Sequence, residues 1–145
     1  MNINNNLRDK LCLIYSGEED KDEFVFAGGK WSDGYIRSRV RDLGLYSIGI
    51  DTISPEIRIV NIKDGETLGE NSSIIIHVSD DFSGIGKYIG SIDGNWGIFE
   101  WDPKNEILKY TPDPEKTRKD EMHTLSLNVI DNRDNASNLE MRFRW

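Results

Sequence analysis

Cysteine is nearly missing from this chain: Cys12 stands alone among 145 residues. A single thiol excludes an internal disulfide and any cysteine-rich zinc site. No apolar run approaches the roughly 20 residues that a membrane-spanning helix needs. Met1 to Asn6 are polar, so the start carries no hydrophobic signal core. The expectation is a cytosolic protein, or one from which a leader and upstream sequence have been cut away. Positive charge is also scarce, with 18 Lys and Arg against 26 Asp and Glu, a net charge of -8 and a pI of about 4.8. That balance argues against nucleic acid, whose phosphates need a basic surface. It argues equally against an anionic membrane face. What remains is ordinary globular material, 37% hydrophobic and 30% charged, enough for one domain or two small ones.

Helical stripes are lacking too. The best window, Asp113 to Met122, is nearly all charged, and Pro112 and Pro114 stand at its start. It reads as a long polar loop with at most one helical turn. Period-two alternation is present instead. Leu139, Met141, Phe143 and Trp145 alternate with charged residues. Leu125, Leu127 and Val129 alternate with Thr124, Ser126 and Asn128. Ile74, Ile76 and Val78 form a third apolar face, and Ile57 and Ile59 flank Arg58. Tyr88 to Ile92 and Trp96 to Trp101 are richer in β-branched and aromatic residues, and Asp93-Gly94 between them signals a tight hairpin. About seven strands in some 90 residues is the spacing of an immunoglobulin-like sandwich without its disulfide.

The chain therefore reads as all-β: an immunoglobulin-like β-sandwich over residues 53–145, preceded by a smaller β-unit over residues 1–52. In the first unit Leu11 to Tyr15, Glu23 to Ala27, Tyr35 to Val40 and Leu45 to Ile50 are the strand candidates. Four short strands are too few to close a sandwich, so this unit is expected to depend on a neighbour. Asp51 to Pro55 is the connector, and Pro55 holds Ser54 extended.

Gly28-Gly29-Lys30-Trp31-Ser32-Asp33-Gly34, Arg39 to Tyr46 and Asp51 to Ile57 together resemble a module boundary in Bacteroidetes cell-envelope proteins. Asp81-Phe82-Ser83-Gly84-Ile85, Ile92 to Trp96, His123-Thr124-Leu125 and Asp131 to Asn135 complete the pattern. The likeness is to the C-terminal immunoglobulin-like tail of lysostaphin-type zinc metallopeptidases, which cleave peptidoglycan, and of related envelope proteins. It covers about Leu11 to Trp145. It implies a periplasmic or envelope location. It also implies a non-catalytic role in spacing, docking or regulation, with other domains of the same polypeptide, envelope proteins or peptidoglycan as partners.

That family holds zinc through a His-x-x-x-Asp pair and a His-x-His pair. His77 and Asp81 have the first spacing, but no His-x-His exists, and a catalytic zinc wants about three protein ligands. His77 is expected to be a strand histidine beside a turn. Cys12, among Leu11, Leu13 and Ile14, reads as an inert buried thiol. Ser83 is not in a nucleophile elbow, and Gly84-x-Gly86 is not followed by a helix, as a phosphate loop would be. Carboxylate pairs at Glu18 to Asp20 and Asp80-Asp81 are unsurprising in so acidic a chain. No cofactor is expected, apart from calcium at the loop end of the sandwich. There Asp81, Asp131 and Asp134, with Asp51 or Asp80 contributing, could gather oxygens around a hard cation. The plainer account is that these aspartates cap their own turns. Trp96 and Trp101 are the candidates for stacking on a cell-wall glycan. The plainer account there is that one of them fills the core.

Overall fold

The computed structural model describes residues 7–17 and 23–145. The acidic run Glu18 to Asp20 and the polar start lie outside the described residues. Among those described there is no α-helix, and the strands run β1 (Leu11–Ser16), β2 (Val25–Phe26), β3 (Lys30–Ser32), β4 (Tyr35–Arg37), β5 (Leu45–Ile50), β6 (Glu56–Ile59), β7 (Ile74–Ser79), β8 (Ile85–Ile92), β9 (Asn95–Trp96), β10 (Phe99–Asp102), β11 (Ile107–Tyr110), β12 (Met122–Asp131) and β13 (Ala136–Arg144).

The alternating runs become two four-stranded antiparallel sheets, ordered β10-β11-β7-β6 and β13-β12-β8-β9. Counting strands from β6, and setting the two-residue β9 aside, one sheet holds the first, second, fourth and fifth strands and the other the third, sixth and seventh. That is the order an immunoglobulin-like sandwich has. The inward side chains meet in one core. Ile74, Ile76, Val78, Leu108 and Tyr110 come from the first sheet, and Leu125, Leu127, Val129, Met141 and Phe143 from the second. Asp93-Gly94 closes β8 onto β9 with φ of 51° and 77°, the two left-handed residues that a type I′ turn demands.

Three local expectations change, and the polar loop keeps its expected form. Trp96 and Trp101 do not share a hairpin, because the chain crosses from one sheet to the other at Gly97-Ile98. A further strand, β11, lies between β10 and β7; with four residues it is too short to stand out by alternation. The large buried aromatics are Phe143, Tyr110, Phe99 and Trp145, not Trp96 or Trp101. Phe99 reaches across the sandwich to Gly90, where a Cβ would lie 2.0 Å from its ring. The polar loop forms turns and no helix. Asp113 accepts the amides of Lys116 and Thr117 through its carbonyl, and buried Thr117 bonds the Tyr110 hydroxyl at 3.0 Å.

The N-terminal residues make a three-stranded antiparallel sheet, β2-β1-β5, and a separate hairpin, β3-β4. Among the described residues their buried side chains are few: Leu11, Cys12 and Ser16. Leu45, Ile48 and Ile50 on β5 remain exposed.

Candidate functional site

The polar residues of greatest structural consequence collect where this small sheet meets the loop end of the sandwich. Three loops supply them. Asp51 follows β5, Asp80 follows β7, and Asp131 ends β12, where the pairing with β8 slips by a residue at Ile130/Asp131. Asp131 keeps the inward side that the alternation of β12 gives it.

Each aspartate uses one oxygen on its own backbone, as the turn-capping account expects. Oδ1 of Asp51 accepts the Ile53 amide at 3.1 Å. Oδ1 of Asp80 accepts the amides of Phe82 and Gly84 at 3.2 and 2.7 Å. Oδ1 of Asp131 accepts those of Arg133 and Asn135 at 2.6 and 2.9 Å. Capping does not exhaust them. The three carboxylates each present an oxygen within 4.8 Å of the other two. Asp51 is 2% exposed and Asp131 3%. Oδ2 of Asp51 and Oδ2 of Asp80 are buried with no hydrogen-bond partner. Among the described residues none of the three forms an ion pair. The Asp80 carboxyl feels the crowding. Burial lifts it above the ordinary carboxylate range; the Gly84 and Phe82 amides oppose that rise, and the charges of Asp51 and Asp131 add to it.

The loop between β12 and β13 also bolts the two units together. Nη1 of Arg133 donates to the carbonyls of Leu11 and Gly29 at 2.9 and 2.8 Å, and its guanidinium lies 5.4 Å from the Phe26 ring centre. Nδ2 of Asn135 donates to the Asp51 carbonyl at 3.2 Å and to Oδ2 of Asp131 at 2.7 Å. Nζ of Lys10 returns a bond to the Arg133 carbonyl at 2.7 Å. Phe82 meets Phe26 edge-on at 6.5 Å. Arg133 and Asn135 are both buried. They lie in a turn that the sequence marks only as polar, so their role was not legible there.

Of the aspartates singled out from the sequence, Asp131 lies in the cluster. Asp51 and Asp80, the secondary candidates, join it. Asp81 and Asp134 are exposed and outside it; Asp134 adopts a left-handed φ of 59° at the turn tip. His77 faces Glu106 at 3.3 Å. Cys12 is fully buried, and burial pushes its thiol up.

Trp96 is 71% exposed. It borders an open cleft of about 500 Å³ with Asn95, Glu100, Lys109, Asp113 and Lys116. Trp101 is half-buried against Tyr88, with ring centres 6.3 Å apart, and packs on the core. The structure thus separates the two tryptophans.

No protein-family model matches the chain, and no curated protein matches it. Among solved structures it is similar to an endo-β-1,4-mannanase from Thermotoga petrophila, with a TM-score of 0.51 and 14% identity over 65% of this chain. The likeness is one of fold. It takes up 20% of the mannanase chain, so this chain spans about a fifth of that enzyme's length.

Proposed function

We propose that the chain is a non-catalytic accessory region of a larger bacterial cell-envelope protein. It holds neighbouring parts of that protein at a fixed spacing, and in the reading that follows from the sequence resemblance the parent is a peptidoglycan peptidase of the periplasm or envelope. The observation that carries this is the joint. Arg133 and Asn135, both buried, donate to backbone carbonyls of the other unit. Such bonds fix an orientation irrespective of side-chain identity in the partner strand. The fold's occurrence as a minor share of a much longer enzyme agrees with an accessory role.

The test is incubation of the purified chain with peptidoglycan sacculi, with and without zinc, and chromatography of the soluble products. The expected outcome is no release of muropeptides. Zinc-dependent release that His77→Ala abolishes would contradict the proposal.

A second reading has its own observation, the exposed Trp96 beside a cleft edged by amide and charged side chains. An exposed indole offers a flat apolar face to the apolar side of a sugar ring. On this reading the region binds a cell-wall glycan or another polysaccharide. Titration of tryptophan fluorescence with soluble peptidoglycan fragments and with β-mannan tests it. Saturable quenching that disappears in Trp96→Ala is expected, and quenching that survives in that variant contradicts it.

A further inference from the structure

The geometry points to a calcium site at the joint, held by Asp51, Asp80 and Asp131, where the buried, unpartnered Oδ2 of Asp51 and the carboxylates of two sandwich loops converge. This deepens the reading of the joint as a fixed connection and rests on it: the cation would tie the connector to the loops after β7 and β12.

Three observations support the assignment. The first is spacing. The three carboxylates present oxygens within 4.8 Å of one another. Two oxygens on opposite sides of one calcium, each at the usual 2.3–2.6 Å, lie about 4.6–5.2 Å apart, so oxygens held within 4.8 Å of one another can share one calcium.

The second is the unfilled bonding capacity. Oδ2 of Asp51 belongs to a residue only 2% exposed, and it has no donor; Oδ2 of Asp80 is also buried without one. A buried carboxylate oxygen without a donor loses its hydration and receives nothing in return. The capping bonds of the three Oδ1 atoms do not relieve this. They do hold the carboxylates in place beforehand, which lowers the ordering cost of binding.

The third is charge. Among the described residues no lysine, arginine or histidine pairs with any of the three, although Arg133 lies close by with its Nη1 engaged on backbone carbonyls. A divalent cation removes the mutual repulsion of the carboxylates. An all-oxygen donor set selects a hard cation over zinc or copper. The alternative occupant is a proton on Asp80, which relieves part of the repulsion.

The experiment uses the full chain and calcium chloride as the probe. Isothermal titration and thermal melts, in chelator and in calcium at fixed ionic strength, are run on the wild type and on Asp80→Asn, Asp51→Asn and Asp81→Asn. The expected result is one calcium per chain. A tenfold excess over Kd raises the folding equilibrium about elevenfold, a rise of about 4 °C in Tm for a chain of this size. Binding is lost in Asp80→Asn and Asp51→Asn and kept in Asp81→Asn, whose side chain is exposed and outside the cluster. In chelator Asp80→Asn melts no lower than the wild type, because it removes one of the crowded charges while keeping Oδ1 for its turn. That variant guards against mistaking a folding defect for lost binding. An unchanged Tm with no heat of binding up to 10 mM calcium overturns the assignment, and so does binding that survives in Asp80→Asn. Neither result touches the joint, whose Arg133 and Asn135 bonds need no cation; the joint reading fails only if the two units reorient independently in chelator.

Discussion

Removing the Arg133 side chain should detach the N-terminal sheet without unfolding the sandwich. Arg133→Ala deletes two hydrogen bonds from a cation to carbonyl oxygens, at 2.9 and 2.8 Å. Bonds involving a charged partner contribute about 1.5–3 kcal/mol each, and stacking over Phe26 adds roughly 0.5–1 kcal/mol. Against this, the variant no longer buries a guanidinium whose Nε has no partner, which returns part of the sum. A net loss of about 3 kcal/mol in docking follows. At about 1.4 kcal/mol per factor of ten, the population of undocked chains rises about a hundredfold. Native-state hydrogen exchange reads this segment by segment. The amides of β1 and β5 should lose about that factor of protection, while those of β7 and β12 keep theirs. Arg133→Lys should recover only part, because an ammonium lacks the planar fork of the guanidinium. Unchanged protection in β1 and β5 would refute the reasoning. An equal loss in β7 and β12 would refute it too, since the joint would then be part of a single cooperative core.

The remaining predictions concern the sandwich. His123 is 4% exposed and its two ring nitrogens lie 2.7 Å from Oδ2 of Asp93 and from the Arg118 carbonyl. Burial favours the neutral ring, but these two acceptors outweigh it and raise the pKa above its ordinary value. Burial likewise works against the Asp93 carboxylate, and the bonds from His123 and Thr124 lower its pKa on balance. The His123 contribution is therefore complete below the unfolded value of about 6.5 and is lost as pH rises through the raised folded pKa. Urea midpoints between pH 5.5 and 8.5 should fall over that range, and in Asp93→Asn the slope should flatten; a slope unaffected by Asp93→Asn contradicts the pairing. Phe143→Ala, at a fully buried side chain touching the Tyr110 and His123 rings, should cost about 3–5 kcal/mol in chemical unfolding. Gly90→Val should cost at least about 1–3 kcal/mol by overpacking against Phe99, and Gly90→Val with Phe99→Leu should recover part of it.

Period-two alternation carried the sandwich because one face of each long strand is buried and the other wet. Residues Met122–Asp131 show it without interruption, buried and half-exposed in turn after an exposed Met122. The Asp93-Gly94 turn was legible for a local reason, since its left-handed φ values select those residue types. The signal failed where strands are short. Residues 107–110 and the pair 95–96 offer too few positions to establish a period, so the sequence pattern does not reveal β11 or divide β9 from β10. In the site, proximity in sequence misled. Asp81 and Asp134 are the same residue type as Asp80 and Asp131; the turn after β7 leaves Asp80 half-buried and Asp81 exposed, and the alternation of β12 turns Asp131 inward while Asp134 sits exposed at the turn tip. The joint was hidden for another reason. Arg133 and Asn135 bind backbone carbonyls, and such partners leave no trace in residue identity.

The central claim, that the β-unit before Asp51 and the sandwich after it are held as one body through the loop between β12 and β13, is tested most directly by residual dipolar couplings. Backbone amides of β1 and β5 and of β7, β12 and β13 would be measured in one weakly aligning medium, in chelator. The account predicts that a single alignment tensor fits all of these strands together, with no loss of agreement when the two units are fitted jointly. Two tensors of different magnitude or orientation would show the units moving independently and would contradict it.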